Sequence, residues 1–595
     1  MPAAELIVTP TETAITLSSC TTMRGGLPVW SGVRMMQDLV ADLRRIVETE
    51  RARFEVPGCA VLVVADGRIA LSEGFGHRDV DRELPVTSRT LFPIGSSTKT
   101  FTAVLCAALV DQGRLAWDRP VREYLPGFRM RDPAATDQLT VFDMLCHRSG
   151  LPRHDLMWYA ARDEMTRGEL VAALRHLEPN RGFRETWQYN NLLYTTVGEL
   201  AGRLAGTSYE LAVRQYLLDP LDMVRTNFSV NETQADDDTA MPYVAPALGE
   251  AVKEVPFARL DLVAPAGGIN SCVDELGRWL LTLLGLGVDG RPALLSESVL
   301  SLVRAPAMPL PDESLLAVGR PVGYGLGLIV EDYRGYRLVH HGGNIDGFSS
   351  QVSFIPEAGC GVVVLCNRDG TSLRDALPFL IYDRLLGLEP RPHGEALLAK
   401  EAALWRGRAQ SRTRTLSAAN SLPAVRPLAD YVGRYRNHAY GALIVAQDGE
   451  GLKGRYRSLS GPLEHRHLEV FNLVVDLGGI ETPLPVQFHH DFDGEVSGAS
   501  ARLEPTVAAI RFDRVPDTAH LTDALLDRLA GTYHLGPLTA SVARRGQRGL
   551  VARIVESGFK ELKPVHGLVF TMNGARLEFT DDGRLITPVG EFARG

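Results

Sequence analysis

The sequence predicts an α/β (α+β) domain with an antiparallel sheet and a helical subdomain, followed by two small antiparallel β-barrels. Three observations lead to this fold class. Strand-like segments lie at both ends of a stretch from about residue 35 to residue 395, with helical segments between them. A segment rich in Arg, Ser, Thr and Ala follows. The remaining residues form short alternating stretches separated by Gly, Asp and Pro, which is typical of small all-β domains.

Residues 1–34 lack clear periodicity and are predicted to be an irregular N-terminal extension. The domain of residues 35–395 begins with helical spacing in "MMQDLVADLRRIVETERARF" and continues with two strands around the Asp66-Gly67 turn. Further helices are predicted at "STKTFTAVLCAALVDQG", "LTVFDMLCHRS", "NLLYTTVGELAGRLAG" and "CVDELGRWLLTLLG". Strands in "YGLGLIVEDYRGYRLVHHGG" and "SSQVSFIPEAGCGVVVLCN" follow, and the helix-like "ALPFLIYDRLLG" closes the domain.

Residues 396–424 are predicted to be a linker, because they contain little apolar patterning. Beyond them we predict one β-barrel over residues 425–516 and a second over residues 517–595. The motif "YVGRY" near residue 431 resembles "LAGTY" near residue 529. This short similarity suggests that the two barrels are related to each other.

The composition is ordinary for a globular protein, with 45% hydrophobic and 23% charged residues. A net charge of −9 is mild for 595 residues and gives no reason to expect a nucleic acid or a membrane as partner. No basic leader precedes an apolar run at the N-terminus, and no apolar run is long enough to span a bilayer, so a cytoplasmic location is expected. The seven cysteines form no CxxC pair, which predicts free buried thiols in a reducing compartment.

Lysine is rare in this chain, and one lysine lies in an unusual place. Of the 63 basic residues, six are lysines, so 57 (63 − 6) are arginines. Lys99 lies three residues after Ser96 in the otherwise uncharged stretch "FPIGSSTKTF". At this spacing on a helix the two side chains share one face. Burial and the positive end of the helix dipole both disfavour the charged lysine, which could then accept the proton of a nucleophilic serine.

The Ser-x-x-Lys pattern is weak by itself, because Ser557-x-x-Lys560 also matches it in a segment that alternates like a strand. A solvated lysine beside a helix-capping serine is the simpler alternative. Two further motifs distinguish the Ser-x-x-Lys match at Ser96 from the one at Ser557. "WQYNNLLY" contains a Tyr-x-Asn pattern at Tyr189, and "LVHHGGNIDGFSS" contains a His followed by small residues. Only the first Ser-x-x-Lys pattern is followed by both motifs in this order.

With these motifs the chain resembles the serine β-lactamase/penicillin-binding-protein superfamily, in the branch that holds class C β-lactamases, D-aminopeptidases and related esterases. The resemblance covers about residues 36–390 and includes "LFPIGSSTKTFTA", "MLCHRSGLP", "APAGGINSCVDELGRWL" and "YGLGL". It implies a β-lactamase/transpeptidase-like catalytic domain. It also implies roles for eight residues. Ser96 would be the acylated nucleophile, Lys99 and Tyr189 would share its proton, and Asn191 would orient Lys99 and the substrate amide. His341, Gly342 and Gly343 would form the third motif, and the backbone N–H groups of Ser96 and Asn344 would form the oxyanion hole.

The third motif departs from the Lys-Thr-Gly of the best-known members, because His341-Gly342-Gly343 stands here. This difference favours the peptidase and esterase branch over β-lactamase activity. His340-His341-Gly342 also fits the pattern, and the position of Gly347 favours the register that begins at His341. The layout resembles bacterial D-aminopeptidases, in which lipocalin-like barrels follow the catalytic domain and a barrel loop reaches the active site. The sequence does not identify such a loop.

The leading hypothesis is therefore a serine hydrolase acting on a small peptide, amide or ester, with a D-amino acid as the expected substrate component. No cofactor is expected, and no metal, because "HHDFDG" at residues 489–494 lacks the spacing of a metal site. An alternative is a penicillin-binding-protein-type thioesterase that cyclises peptides, although such proteins usually carry one barrel. A non-catalytic binding protein on this scaffold is the third alternative. The sequence is also compatible with a homo-oligomer.

Overall fold

An eight-stranded antiparallel sheet forms the centre of the first domain in the computed structural model of the protein, and this confirms the predicted fold class. The structure describes residues 33–595, except for 246–248, 312–318, 418–421, 493, 517–520, 547–548 and 555–557. The strands of the first domain are β1 (Gly58–Ala65), β2 (Arg68–Asp79), β3 (Leu84–Pro85), β4 (Phe92–Pro93), β5 (Tyr243–Val244), β6 (Lys253–Glu254), β7 (Asn270–Ser271), β8 (Arg320–Tyr324), β9 (Ile329–Tyr333), β10 (Tyr336–Ile345), β11 (Phe348–Ile355) and β12 (Cys360–Cys366).

The order of strands in the main sheet is β3-β2-β1-β12-β11-β10-β9-β8. Strand β1 is central and completely buried, which explains its continuous apolar sequence. Its side chains alternate between two cores: Leu62 and Val64 face one, whereas Val61 and Val63 face the other. The sheet is therefore covered by helices on both faces.

The helices that cover the sheet fall into two groups. Helices α1 and α14 pack on one face, and α2, α8 and α12 contribute to the core on the other. The helices of this domain are α1 (Val33–Arg53), α2 (Lys99–Asp111), α3 (Val121–Tyr124), α4 (Pro133–Gln138), α5 (Val141–Leu145), α6 (Asp155–Tyr159), α7 (Arg167–Ala173), α8 (Asn191–Ala205), α9 (Tyr209–Val213), α10 (Val230–Ala235), α11 (Ala264–Gly267), α12 (Val273–Leu283), α13 (Glu297–Val303) and α14 (Leu373–Leu385).

The segment predicted to be a linker contains a 25-residue helix, α15 (His393–Ser417). Its Ala, Leu, Arg and Glu residues favour a helix even though the apolar pattern is weak. The helix packs against α14. A buried ion pair also joins it to the segment between β12 and α14: Glu401 lies 2.7 Å from Arg368, and both side chains are at most 3% exposed. Glu401 also accepts a hydrogen bond from the backbone N–H of Ser372. A mostly polar helix is thus held by a few specific contacts.

Two closed, eight-stranded antiparallel barrels follow, each with its strands in sequence order. The first consists of β13 (Gly433–Asn437), β14 (Gly441–Asp448), β15 (Gly451–Tyr456), β16 (Leu459–His467), β17 (Val470–Leu477), β18 (Ile480–His490), β19 (Val496–Ala501) and β20 (Ile510–Val515). Helix α16 (Asp523–Leu529) precedes the second, which consists of β21 (Gly531–Leu535), β22 (Leu538–Arg545), β23 (Gly549–Ile554), β24 (Lys560–His566), β25 (Val569–Met572), β26 (Ala575–Phe579), β27 (Leu585–Thr587) and β28 (Gly590–Arg594).

The similar motifs near residues 431 and 529 take the same structure in the two barrels. Gly433 and Gly531 each begin the first strand, with φ angles of 157° and 159°. The hydroxyl of Tyr435 donates to the Tyr431 carbonyl at 2.7 Å, and the hydroxyl of Tyr533 donates to the Leu529 carbonyl at the same distance. Tyr435-x-Asn437 also fits the Tyr-x-Asn pattern, but its tyrosine is part of a barrel core. The equivalence supports the predicted relationship between the barrels.

The cysteines agree with the predicted free thiols within the described residues, where six are buried and unpaired; Cys20 lies outside that part. Over the same residues, no helix combines the length and the apolar character needed to cross a membrane. Most of the predicted N-terminal extension, residues 1–32, also lies outside the described part of the chain.

Candidate active site

Ser96 and Lys99 lie where a short 3-10 turn, Gly95–Thr98, leads into α2. Ser96 is partly accessible, whereas Lys99 is completely buried. The Lys99 ammonium group donates to Ser96 Oγ at 3.1 Å, Asn191 Oδ1 at 2.8 Å and the Ala266 carbonyl at 2.7 Å. Burial lowers the pKa of Lys99 well below its ordinary value, and the charge of Arg153 acts in the same direction. A buried lysine in contact with a serine is thus poised to lose its proton.

Tyr189 and Asn191 lie at the start of α8, whose N-terminus is capped by the side chain of Asn190. The cap fixes the chain at the point where Asn191 extends toward Lys99. The Tyr189 ring lies 4.8 Å from the Lys99 nitrogen. Burial raises the pKa of the Tyr189 phenol, while a hydrogen bond with Ser96 and the charge of Arg153 oppose that rise. The phenol is therefore protonated at neutral pH, and it touches both members of the Ser-x-x-Lys pair.

The third motif lies on β10, directly beside the turn that carries Ser96. The pairing of β10 with β9 ends at His340, and the 3-10 turn packs next to the following residues. Ser97 Oγ donates to the His341 carbonyl at 3.1 Å. A Cβ atom on Gly343 would lie 1.9 Å from the Ile94 carbonyl oxygen, so only glycine permits this close approach. The small residues of the motif allow the strand and the serine turn to meet.

The structure distinguishes the two histidines that compete for the motif. His341 faces the site: its Nδ1 donates to the Gly342 carbonyl at 2.6 Å, and its Nε2 accepts from the Tyr324 hydroxyl at 3.0 Å. Burial lowers the pKa of His341 well below its usual value, and the charge of Lys99 adds to this effect, so the imidazole is neutral. His340 points away and lies 3.0 Å from Glu331. The register that begins at His341 thus places a histidine 6.2 Å from the Tyr189 ring.

Gly342 and Asn344 complete the set of predicted residues. Gly342 pairs with Gln351 on β11, and Asn344 pairs with Ser349. The Asn344 side chain donates to Asp369 at 2.5 Å. A Cβ on Gly95 would lie only 2.9 Å from the Asn344 backbone nitrogen, which puts that nitrogen next to the residue preceding Ser96. All eight predicted residues therefore lie in one region of the fold.

Asp155, at the start of α6, is a central residue of the site that the sequence analysis missed. Its carboxylate accepts from Asn191 Nδ2 at 2.9 Å, from Trp158 Nε1 at 2.8 Å and from Arg153 Nε at 2.5 Å. The Arg153 guanidinium lies 4.8 Å from the Tyr189 ring, and half of its side chain is exposed to the cavity. The sequence signal for Arg153 and Asp155 was the charged "RHD" that directly follows "SGLP".

A cavity of about 240 Å³ opens over Ser96, with Arg153, Asp155 and Asn191 in its wall. Tyr159 and Asp346 separate it from a second cavity of about 440 Å³. The turn between β17 and β18 of the first barrel, residues 476–479, lines this second cavity. A barrel turn therefore lies close to the mouth of the site, which the sequence did not reveal.

Potential metal ligands are scattered. Nowhere in the described part of the chain do three or more His, Cys, Asp or Glu side chains group in a way that could hold a metal ion. In the "HHDFDG" segment, His489 Nε2 hydrogen-bonds Ser500 at 2.8 Å and His490 Nε2 lies 3.0 Å from Glu469. These histidines are partly buried residues of the barrel strand β18.

Proteins of known name are similar in sequence to this chain. The sequence of Unguisins hydrolase ungD from Aspergillus violaceofuscus is 28% identical over 488 residues, which cover 76% of this chain and 85% of that protein. Protein flp of Staphylococcus aureus is 25% identical over 335 residues, covering 56% of this chain and 64% of that protein. Each of these matches covers more than half of this chain.

Two solved structures share the fold. The octameric penicillin-binding protein homologue from Pyrococcus abyssi covers 80% of this chain and all (100%) of its own, with 23% identity and a TM-score of 0.51. EstCE1, a hydrolase with promiscuous acyltransferase activity, covers 59% of this chain and 99% of its own, with 17% identity and a TM-score of 0.52.

Family models assign the two parts of the chain separately. Residues 417–514, which contain all of the first barrel except Val515, match a domain of unknown function, DUF3471. The Beta-lactamase model matches residues 43–385, more than half of the chain, and this match includes the serine turn, α8 and β10. The chain therefore belongs to the beta-lactamase family of serine hydrolases.

Proposed function

We propose that the protein hydrolyses amide or ester bonds through an acyl-enzyme formed on Ser96. The observation that carries the proposal is the completely buried Lys99 amine 3.1 Å from Ser96 Oγ. Because burial lowers the pKa of Lys99, it favours the neutral amine, the form that can accept the serine proton. A solvated lysine, the simpler alternative, does not fit this environment.

The proposed reaction begins when Ser96 Oγ attacks the substrate carbonyl carbon and its proton passes to Lys99, with Tyr189 sharing it. Asn191 orients Lys99 and the substrate amide. The backbone N–H groups of Ser96 and Asn344 stabilise the oxyanion. The proton then moves to the leaving amine or alcohol as the C–N or C–O bond breaks. In the second half-reaction water attacks the acyl carbon of the ester and gives a proton to the same base. The bond between that carbon and Ser96 Oγ then breaks, Ser96 Oγ takes the proton from the base, and the acid is released.

The proposed substrate is a small peptide, amide or ester that contains a D-amino acid. Two features support this choice. The His341-Gly342-Gly343 motif replaces the Lys-Thr-Gly of β-lactamases, and the layout of a catalytic domain followed by two barrels resembles that of D-aminopeptidases. The similarity to a protein named as a hydrolase of unguisins is compatible with hydrolysis as the outcome.

A covalent probe tests the nucleophile directly. A fluorophosphonate should add one covalent mass to the wild-type protein, and Ser96→Ala should abolish the addition. Ser557→Ala, which changes the serine of the second Ser-x-x-Lys pattern, is the matched control and should leave the labelling intact. Labelling that persists in Ser96→Ala would disprove the assignment.

A substrate panel tests the rest of the proposal. Matched D- and L-aminoacyl p-nitroanilides and p-nitrophenyl esters should be compared by kcat/KM, with Ser96→Ala as the blank. We expect faster release from the D-aminoacyl compounds. Exclusive cleavage of the L-aminoacyl compounds would refute the D-amino-acid preference and leave the serine mechanism in place.

A further inference from the structure

The loop formed by residues 153–155 connects the catalytic residues to the first barrel. Arg153 and Asp155 line the cavity over Ser96, and Asp155 holds the Asn191 amide at 2.9 Å. Asn191 in turn accepts from Lys99 at 2.8 Å. The position of the 153–155 loop therefore affects the position of Asn191, which contacts the proposed base Lys99.

His154, between these two residues, adopts a conformation that needs external support. Its φ of 49° lies in the left-handed region, which is uncommon for residues other than glycine. The side chain is completely buried, and both ring nitrogens have partners: Nε2 donates to the Glu178 carbonyl at 3.0 Å, and Nδ1 accepts from the Tyr440 hydroxyl at 2.6 Å. The backbone N–H of His154 donates to the Glu504 carboxylate at 2.8 Å.

Two of these three partners belong to the first barrel. Tyr440 lies in the turn between β13 and β14, and Glu504 lies between β19 and β20. Glu504 is itself fixed, because its other carboxylate oxygen accepts from the N–H and hydroxyl of Thr506 at 3.1 and 2.6 Å. Both barrel side chains are at most 5% exposed. The barrel thus presents a rigid, buried acceptor and a donor to the strained residue.

We propose that the first barrel is a positioning element of the catalytic centre, in which Glu504 and Tyr440 hold His154 and thereby place Asp155, Asn191 and Lys99. The inference rests on the proposed hydrolase function. Glu504 and Tyr440 act through His154 and the loop, so they are positioning residues. A shift of about 1 Å in a catalytic group can reduce a rate about 10²-fold.

The same interface supplies a matched control. Ser458 of the first barrel donates to the Ala160 carbonyl of the catalytic domain through its hydroxyl at 2.8 Å and its N–H at 3.1 Å. Ser458→Ala removes one contact between the barrel and the catalytic domain, yet it leaves the 153–155 loop untouched. A general role of the barrel in stability would make this variant behave like those at Glu504 and Tyr440.

The test uses the full chain and two probes: the rate of Ser96 labelling by a fluorophosphonate, and kcat and KM for p-nitrophenyl acetate. Glu504→Ala and Tyr440→Phe should each lower the labelling rate and kcat about tenfold or more, with KM within about twofold, because the loop positions the base rather than this small substrate. Glu504→Gln keeps an acceptor oxygen for the His154 N–H, so its labelling rate and kcat should fall by less than about threefold. Ser458→Ala should stay within about twofold of the wild type.

A double variant adds a second criterion. If Tyr440 acts through Asp155, then Tyr440→Phe should lower the labelling rate and kcat much less in an Asp155→Asn background than it does in the wild type. Fully additive losses of labelling rate and kcat in the double variant would overturn the proposal. It would also be overturned if Glu504→Ala and Tyr440→Phe had the same labelling rate and kcat as Ser458→Ala. Should Glu504→Ala fail to fold by circular dichroism, Tyr440→Phe, which deletes a single hydroxyl, decides the question. If the fluorophosphonate does not label the wild-type protein, the proposed function itself is refuted.

Discussion

At the scale of the residue, the structure explains why a chain that uses arginine for 57 of its 63 basic residues has a lysine at position 99. The site is completely buried, and its three acceptors surround one small amine. Arginine stays protonated in proteins, whereas a desolvated lysine can become neutral. A base at this position therefore requires lysine.

Lys99→Arg tests this explanation. The guanidinium cannot accept the Ser96 proton, so kcat should fall by about 10²–10⁴-fold, the usual contribution of general-base catalysis. Turnover and circular dichroism should be measured together, with the exposed Lys560→Arg as the control that keeps wild-type turnover. Lys99→Met, which removes the charge without adding volume, shows whether the loss depends on packing. A folded Lys99→Arg protein with full activity would refute the role of Lys99 as base.

The pH dependence of activity should respond to the two charges beside Lys99. Burial is the main cause of its lowered pKa; Arg153 lowers the pKa further, and Asp155 raises it. Since the neutral amine is the active form, activity is lost as the pH falls through this pKa. Asp155→Asn should therefore move the acidic limb of kcat/KM to lower pH, and Arg153→Gln should move it to higher pH.

The control for this pair is Arg162→Gln, which changes a nearby arginine that lies 3.6 Å from Asp346 at the boundary between the two cavities. Its acidic limb should stay close to that of the wild type. Shifts of the same sign in Asp155→Asn and Arg153→Gln would contradict Lys99 as the titrating group.

At the scale of the element, the site depends on the contact between β10 and the turn that carries Ser96. Ser97 Oγ donates to the His341 carbonyl of β10 at 3.1 Å. Ser350 of the neighbouring strand β11 supports this contact, because its Oγ donates to the Ile94 carbonyl at 2.6 Å and lies 2.9 Å from Ser97 Oγ. Consecutive glycines at positions 342 and 343 leave room for this contact. The spacing between strand and turn is therefore set by backbone atoms and small side chains.

Gly343→Ala should separate the strand from the serine turn. The added Cβ would lie 1.9 Å from the Ile94 carbonyl and 2.4 Å from Ser350 Oγ, so one of the two segments must move. We expect a loss of about 1–3 kcal/mol in the free energy of unfolding, typical of overpacking, and at least about tenfold slower fluorophosphonate labelling.

Gly342→Ala is the matched control for Gly343→Ala. Its new Cβ would be 3.1 Å from the Gln351 side-chain oxygen and 3.4 Å from the Arg374 guanidinium carbon, both of which belong to side chains that can adjust. Denaturant unfolding and labelling rates should show a smaller effect at this position. Equal effects of the two substitutions would show that the approach to Ile94 does not control the site.

At the scale of the whole molecule, the two barrels differ in how they are connected to the catalytic domain. The interior of the first barrel belongs to the same continuous apolar cluster as the core beneath α2, α8 and α12. The second barrel has a separate core. An ion pair between Arg576 and Glu495 joins the second barrel to the first. The first barrel is thus part of the catalytic unit, and the second is more independent.

Removal of the second barrel should therefore leave the active site intact. A chain that ends at residue 516 is expected to label with the fluorophosphonate at a rate within about threefold of the full chain. A chain that ends at residue 395 lacks Tyr440 and Glu504 as well, and it should label far more slowly or fail to fold. A folded 516-residue chain that no longer labels would contradict this division.

The sequence by itself determined the antiparallel and barrel classes, and it predicted eight site residues, which the structure places in one region of the fold. These features rest on local signals: apolar periodicity, turn residues and short motifs such as Ser96-x-x-Lys99 are encoded by neighbouring residues. The same signals predicted a linker where α15 lies, because the apolar periodicity of this segment is weak and its buried contact joins Glu401 to Arg368, 33 residues away.

Only the tertiary structure decided which distant groups share the site. It selected His341 over His340, because adjacent strand residues point to opposite faces and only one face meets Tyr189. It also brought Asp155 to Asn191, and Glu504 to His154 across 350 positions of the chain. Such contacts arise when the barrel packs on the catalytic domain, and since no local pattern encodes a partner that far away, the sequence could not predict them.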